Sequence, residues 1–195
     1  MELTVGTGPA VAGNRRVFTV ASAPQEARGA HPRIRVVFRV PPHPSAFKSS
    51  VLSLPEGAPV RSEGIRGEFL LPEDPRVPLL LVARGVGVTP FLAQLRDLAL
   101  RGEDRDVVLL HVVGDTADAA LVDGLVGPRM RTVVIVDPGS RGGRGGGLPG
   151  LIHRCPDVGS RRAFLSGSPD FVRRARTDLV RAGSVSVRTD TFSGY

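Results

Sequence analysis

Residues 79–91, reading LLLVARGVGVTPF, constrain the fold more than any other stretch of the chain. Five successive apolar residues, 79–83, are too few for an ordinary helix and too uniformly apolar for a half-exposed strand. They predict a parallel strand buried on both faces. Gly85 and Gly87 follow, freeing the backbone to turn and to approach another group closely, and Thr89-Pro90 reads as an N-cap with proline at the first helical position. Phe91, Leu92, Leu95, Leu98 and Ala99 then recur at helical spacing until Gly102 stops the helix. A strand, a glycine turn and a helix start aim free amides and a positive dipole end at one point, which suits a pyrophosphate. The dinucleotide fingerprint G-x-G-x-x-G is not met, because Pro90 stands at its third glycine.

The pattern around this unit predicts an α/β nucleotide-binding domain with a five-stranded parallel sheet. Strands are expected at 79–83, 107–113, 132–136, 163–166 and 184–188, separated by helical segments or glycine-rich loops. Helices cover both faces, the clearest being 169–182 with Phe171, Val172, Ala175, Leu179 and Val180 on one side. Upstream, β-branched and aromatic content predicts strands at 16–22 and 34–40, with shorter ones at 60–63 and 68–71. Helical spacing of Phe47, Val51 and Leu54 predicts a helix near 44–54, with Ser45 as its cap. The expected organisation is a partial antiparallel β-barrel at 1–75 followed by the α/β domain at 76–195.

Charge does not select a partner. The net charge of +7 comes almost wholly from arginine, with Lys48 the single lysine, and the arginines are scattered through both halves. An anionic cofactor, an acidic protein and a nucleic acid are all compatible with that excess. The one cysteine, Cys155, excludes an internal disulfide framework and a multi-cysteine metal site, and His31, His43, His111 and His153 stand at no metal-ligand spacing. No metal is expected. No apolar run approaches the ~20 residues of a membrane span, so a cytoplasmic protein is expected, associated with a membrane only through a partner. The RGGRGGG run at 141–147 reads as a surface loop. An RNA-binding role would rest on it, but interleaved aromatics are lacking, and no nucleic acid is expected.

Several segments in order resemble the ferredoxin-NADP+ reductase superfamily, whose members pass electrons between a nicotinamide nucleotide and a one-electron carrier. Residues 83–91 are similar to its A-G-G-x-G-x-T-P segment, with Arg84 in place of a glycine. Arg16, Phe18 and Thr19 resemble its flavin motif R-x-[YF]-[ST], which continues through Val20. The resemblance implies that the arginine meets the flavin pyrophosphate, the aromatic ring stacks on the isoalloxazine and the hydroxyl approaches its N5. Residues 45–50 loosely resemble the segment that holds the flavin phosphates, which implies roles for Ala46, Phe47, Lys48 and Ser49. Residues 64–69 are similar to the G-P-x-G-x-F turn, with Ile65 for proline. Residues 165–170, with Ser166, Gly167 and Pro169, resemble the C-G-P-P segment beside the nicotinamide in a serine variant. Phe192, with Tyr195 next, matches the aromatic that the family places near its C-terminus against the flavin.

The resemblance implies FAD and NAD(P)H as cofactors, with Thr19, Ser166 and Phe192 at the reacting rings. The dinucleotide would lie on Gly85, Gly87, Thr89, Pro90, Gly167 and Pro169. Asp115, just past the second strand of the sheet, would accept a ribose hydroxyl and repel an added phosphate, whereas Arg141 and Arg144 could reach a 2'-phosphate. Arg84, if its φ is negative, is expected to swing outward and pair with the pyrophosphate or an acidic partner. With no iron-sulfur cysteine cluster, electrons must leave for a separate acceptor protein or a membrane redox partner. The family has barrel strands upstream of the arginine motif, whereas this sequence begins almost at it, so a truncated flavin domain with weakened FAD binding is expected. A non-catalytic remnant acting as a partner-bound subunit stays open as an alternative.

Overall fold

The structure is a computed structural model that describes residues 1–5, 15–125, 127–137, 148 and 150–192. Its larger sheet holds five parallel strands: β4 (Leu79–Arg84), β5 (Val107–Val113), β6 (Met130–Val136), β7 (Arg162–Gly167) and β8 (Val187–Thr191). Their order is β6-β5-β4-β7-β8. The chain steps outward from β4 through β5 to β6, returns to the other side of β4 as β7, and ends at β8. The winding therefore reverses between β4 and β7, and the carboxyl ends of strands at such a reversal are where open parallel sheets bind ligands.

β4 is buried along its length because a separate core lies on each of its faces. Leu80 and Val82 pack with Phe171, Ala175 and Leu179 of helix α4 (Pro169–Arg181). Leu79, Leu81 and Ala83 pack with Phe91, Leu92, Leu95 and Leu98 of helix α2 (Thr89–Leu100). Side chains alternate across a strand, so a strand between two helix layers must be apolar at every position. A shorter helix, α3 (Leu151–Arg154), lies between β6 and β7.

The N-terminal part forms a three-stranded antiparallel sheet of order β2-β1-β3, from β1 (Glu2–Val5), β2 (Arg15–Val17) and β3 (Val60–Glu63). Helix α1 (Ala46–Leu52) begins at Ser45, whose hydroxyl accepts from Lys48 N at 3.4 Å. Phe47, 1% exposed, packs on Phe18 with ring centroids 5.7 Å apart, and Phe18 packs at the same distance on Phe38. This part seats against α2. Arg96 donates to the Ala21 carbonyl at 3.1 Å, Gln94 donates to the Phe69 carbonyl, and the Phe69 ring lies between Phe91 and Phe164.

The described strands differ from the expected ones where tertiary contacts intervene. The strand expected at 16–22 is regular only over Arg15–Val17, and 34–40 contributes only a bridge between Val20 and Val36. Ser22 Oγ accepts the Arg35 amide at 3.1 Å, so a side chain takes the place of a ladder bond there. Residues 68–71 form no strand, because Phe69 turns into the α2 core instead of pairing. The last strand is shifted to Val187–Thr191. Thr89 is the first helical residue and not the cap: a tight turn of 3-10 type at Gly85–Val88 runs straight into α2, and the Thr89 hydroxyl bonds back to the Val86 carbonyl.

At the opposite edge of the sheet buried arginines tie strand ends together. Arg161 donates to Asp106 at 2.7 Å, to the Leu79 carbonyl at 3.2 Å and to Asp157 at 2.9 Å. Arg105 donates to the Pro72 carbonyl at 2.6 Å and to the Glu73 carbonyl at 3.2 Å.

Candidate functional site

An open cavity of about 1120 Å³ lies between the N-terminal sheet and the parallel sheet. Phe18, Thr19 and Val20, Pro90 at the α2 start and Phe192 all line it. The Phe192 amide donates to the Gly167 carbonyl at 3.0 Å, so the chain past β8 is held at the carboxyl end of β7. Four of the predicted cofactor residues and one predicted ring contact thus line one space, although 172 positions separate Val20 from Phe192. Residues 64–69 contribute Ile65, Gly67 and Phe69 to the same wall.

Ser166 and Asp190 are register partners on β7 and β8. Ser166 is fully buried, and its Oγ has no hydrogen-bond partner among the described residues. Asp190 lines the cavity, and burial raises its carboxyl above the usual aspartate range. Sequence reading missed Asp190. Its signal was its place two residues before Phe192 on a strand whose carboxyl end had to reach the crevice.

The glycine turn is set by two contacts. Gly85 has φ +51°, which side-chain-bearing residues rarely adopt. A Cβ on Gly87 would lie 2.7 Å from the Ser166 carbonyl oxygen and 2.8 Å from Gly167 Cα, so this glycine lets β4 and β7 close on each other. Its close approach is to protein backbone. The Gly85 carbonyl accepts a 2.9 Å hydrogen bond from His111 Nε2, and His111 is fully buried on β5.

Arg39 is a second residue that sequence reading missed. Its Nη2 stands 3.9 Å from where a Gly85 Cβ would be, its guanidinium pairs with Asp118, and its carbonyl accepts from Lys48 Nζ at 2.7 Å. Only the tertiary fold brings the 34–40 segment over the turn after β4. Asp115 accepts the Asp118 amide at 3.3 Å and so helps to close the turn beyond β5.

Other predicted residues stand apart from the cavity wall. Arg16 is exposed, 5.9 Å above the Phe47 ring. Ala46 and Ser49 are exposed on α1, whereas the Phe47 side chain belongs to the core. Pro169 is exposed at the start of α4, behind Ser168, whose hydroxyl caps the helix by accepting from Phe171 N at 3.4 Å. Arg84 has φ −123°, the negative value at which an outward side chain was expected, yet its side chain turns inward. It is 8% exposed, lies 5.3 Å from the Phe171 ring and is 3.7 Å from Asp137. Burial lowers its pKa, and the Asp137 charge opposes that shift. Arg141, Arg144 and Tyr195 lie outside the described residues, as do residues 6–14 and the RGGRGGG run.

With two sheets of this topology and a cavity between them, the chain has the ferredoxin-NADP+ reductase-like fold. No family model matches the sequence. Among curated relatives it is 31% identical over 127 residues to an NADPH oxidoreductase of Mycobacterium tuberculosis, covering 65% of this chain and 32% of that protein. It is 34% identical over 110 residues to a flavohemoprotein of Deinococcus radiodurans, covering 54% and 27%. The chain thus spans about a third or less of the length of the curated relatives it matches. Among solved structures it is similar to an Amycolatopsis cytochrome P450 reductase, with TM-score 0.75 and 25% identity over 99% of this chain and 60% of that one. It also shares the fold of a Malassezia yamatoensis flavohemoglobin bound to FAD and heme, with TM-score 0.69 and 19% identity over 99% and 50% of the two chains. A phthalate dioxygenase reductase aligns with TM-score 0.67 and 23% identity, over 98% and 57%.

Proposed function

We infer that this chain forms the flavin and nicotinamide site of an oxidoreductase that takes hydride from NAD(P)H onto FAD and hands the electrons to a separate acceptor. The observation that carries this reading is the open cavity lined by Phe18, Thr19, Asp190 and Phe192 together. An aromatic pair suits flat rings, and the orphaned Ser166 hydroxyl at the adjoining strand end is a polar group in want of a ligand. FAD, when bound, would supply the hydride-accepting ring.

The chain's own residues contribute position and charge, which such a transfer chiefly demands. Phe18 offers an aromatic face and Thr19 a hydroxyl beside it. Phe192 lines the same cavity and has to move aside for a nicotinamide. Ser166 would hydrogen-bond the incoming ring's polar edge, and Asp190, whose carboxyl burial raises above the usual aspartate range, stands at its register partner position on β8. Amides of the Gly85 turn and the Arg39 guanidinium would receive the dinucleotide phosphates, and Arg16, with the start of α1, the flavin phosphates. Asp115 in the turn beyond β5 favours NADH by its charge, whereas Arg39, paired with Asp118 near the same turn, favours any phosphate.

The test is to load the purified protein with FAD, remove unbound flavin, and mix it with NADH or NADPH without oxygen. Loss of oxidised-flavin absorbance at a saturable rate is expected, faster after Phe192→Ala opens the nicotinamide position. Protein that retains no flavin and binds neither nucleotide would overturn the assignment and favour a partner-bound subunit without catalysis.

A further inference from the structure

We propose that His111 is a positioning residue for the dinucleotide phosphates, acting through the peptide unit between Gly85 and Val86. The proposal rests on the dinucleotide reading of the turn after β4 and adds a residue to it. Gly85 O can only accept, so His111 Nε2 carries the proton in their 2.9 Å hydrogen bond. The other ring nitrogen, Nδ1, is buried and has no hydrogen-bond partner among the described residues. Ladder bonds of β5 to β4 and β6 need no side chain at this position, and the register neighbours of His111 are Ala83 and Val134, which offer the ring no polar contact. An apolar residue would fill the site without leaving a nitrogen unsatisfied. The imidazole thus stands at an energetic disadvantage that its bond to the turn offsets.

That bond decides which way the turn presents its amides. A trans peptide is planar, with its carbonyl and N–H pointing in opposite directions, and no peptide described here is cis. Drawing the Gly85 carbonyl onto His111 therefore turns the Val86 N–H away from the buried ring. Val86 is the second residue of a turn that continues into α2, so its amide lacks an intrahelical acceptor. Gly85, with φ +51°, is the residue most able to flip this peptide if the histidine let go. His111 thus converts a mobile glycine turn into a fixed anion donor, from a position in the middle of a strand.

Three substitutions separate this role from packing. His111→Gln places an amide N–H at about the reach of Nε2, His111→Asn is too short to meet the Gly85 carbonyl, and His111→Phe keeps the ring but has no donor. Dissociation constants for NADPH and NADH are measured by calorimetry on each FAD-loaded variant, with flavin occupancy and the rate at saturating nucleotide measured in parallel. His111→Phe and His111→Asn should weaken nucleotide binding about tenfold, the equivalent of one lost hydrogen bond. His111→Gln should stay near the parent, and flavin occupancy and the saturated rate should change little in all three. If His111→Phe does not fold, the contrast between Gln and Asn decides the same point. Equal weakening in all three, or none in Asn and Phe, would overturn the proposal. Failure of the parent to bind either nucleotide would instead overturn the function itself.

Discussion

At the scale of single residues, Arg84 shows how little a side chain's identity says about its direction. An arginine at the end of β4 beside a glycine turn suggests an anion contact. In the fold its guanidinium lies over the Phe171 ring, 5.3 Å from its centre, and near Asp137, covered on most sides. An arginine packed this way contributes through its aliphatic stem and its ring contact as well as its charge. Arg84→Ala is therefore expected to lower stability by about 1–2 kcal/mol, seen as a lower midpoint in thermal unfolding, and to leave nucleotide affinity nearly unchanged. A large loss of affinity at unchanged stability would show that the side chain leaves Phe171 when nucleotide binds.

Among elements, the turn Gly85–Val88 is where the two halves of the parallel sheet meet. Gly87 is needed there because the backbone of Ser166 and Gly167 fills the space a Cβ would take. Gly87→Ala should force β4 and β7 apart at their carboxyl ends, at a cost of about 1–3 kcal/mol by overpacking. It should also weaken nucleotide binding, since the turn and the Ser166 segment would move together. Unfolding and calorimetry on the same variant check both effects. The same turn links stability to pH. Burial lowers the His111 pKa, partly offset by its bond to Gly85 and by Asp118, which is itself paired with Arg39. The folded state therefore resists protonation while the unfolded chain accepts it near pH ~6.5. The stability due to neutral His111 is complete above that pH and is lost as pH falls toward the lower folded value. His111→Gln should flatten the unfolding midpoint over this window.

For the whole molecule, the strand ends far from the crevice depend on Arg161, which joins Asp106, Asp157 and the Leu79 carbonyl. Its partners hold its pKa up against burial, and the Asp157 carboxyl is in turn held below the usual range chiefly by its bond to Arg161. Removing the arginine takes one cation from two partly exposed carboxylates, of which Asp106 keeps Arg129 at 3.7 Å, and leaves the Leu79 carbonyl without its side-chain donor. Arg161→Met should cost about 1–3 kcal/mol, less than for a fully buried pair because solvent reaches both carboxylates, while flavin retained by surviving folded protein should be unaffected. Denaturant unfolding with a flavin assay checks this separation of framework from site. Asp157 gives the acid side of the same framework. Its lowered pKa means that its contribution is present above the ordinary aspartate value and disappears as pH falls through the folded one.

Much of the α/β half was legible in the sequence because its determinants are local. A strand between two helix layers has to be apolar throughout, so β4 and β5 are visible as runs. The amphipathic face of α4 and the capping Ser168 mark that helix without reference to anything else. That Phe18 and Phe192 line one cavity was legible only through ordered motifs, since neither residue alone points to the other. What the tertiary structure decided were the contacts between segments distant in sequence. Arg39 comes to Gly85 because Val36 bridges Val20 and the N-terminal sheet seats on α2, and neither event is encoded in residues 34–40 alone. The inward turn of Arg84, the buried bond of His111 and the raised carboxyl of Asp190 share that origin. Each depends on what packs over a side chain, and burial is a property of the folded whole, whereas periodicity and capping belong to the chain itself.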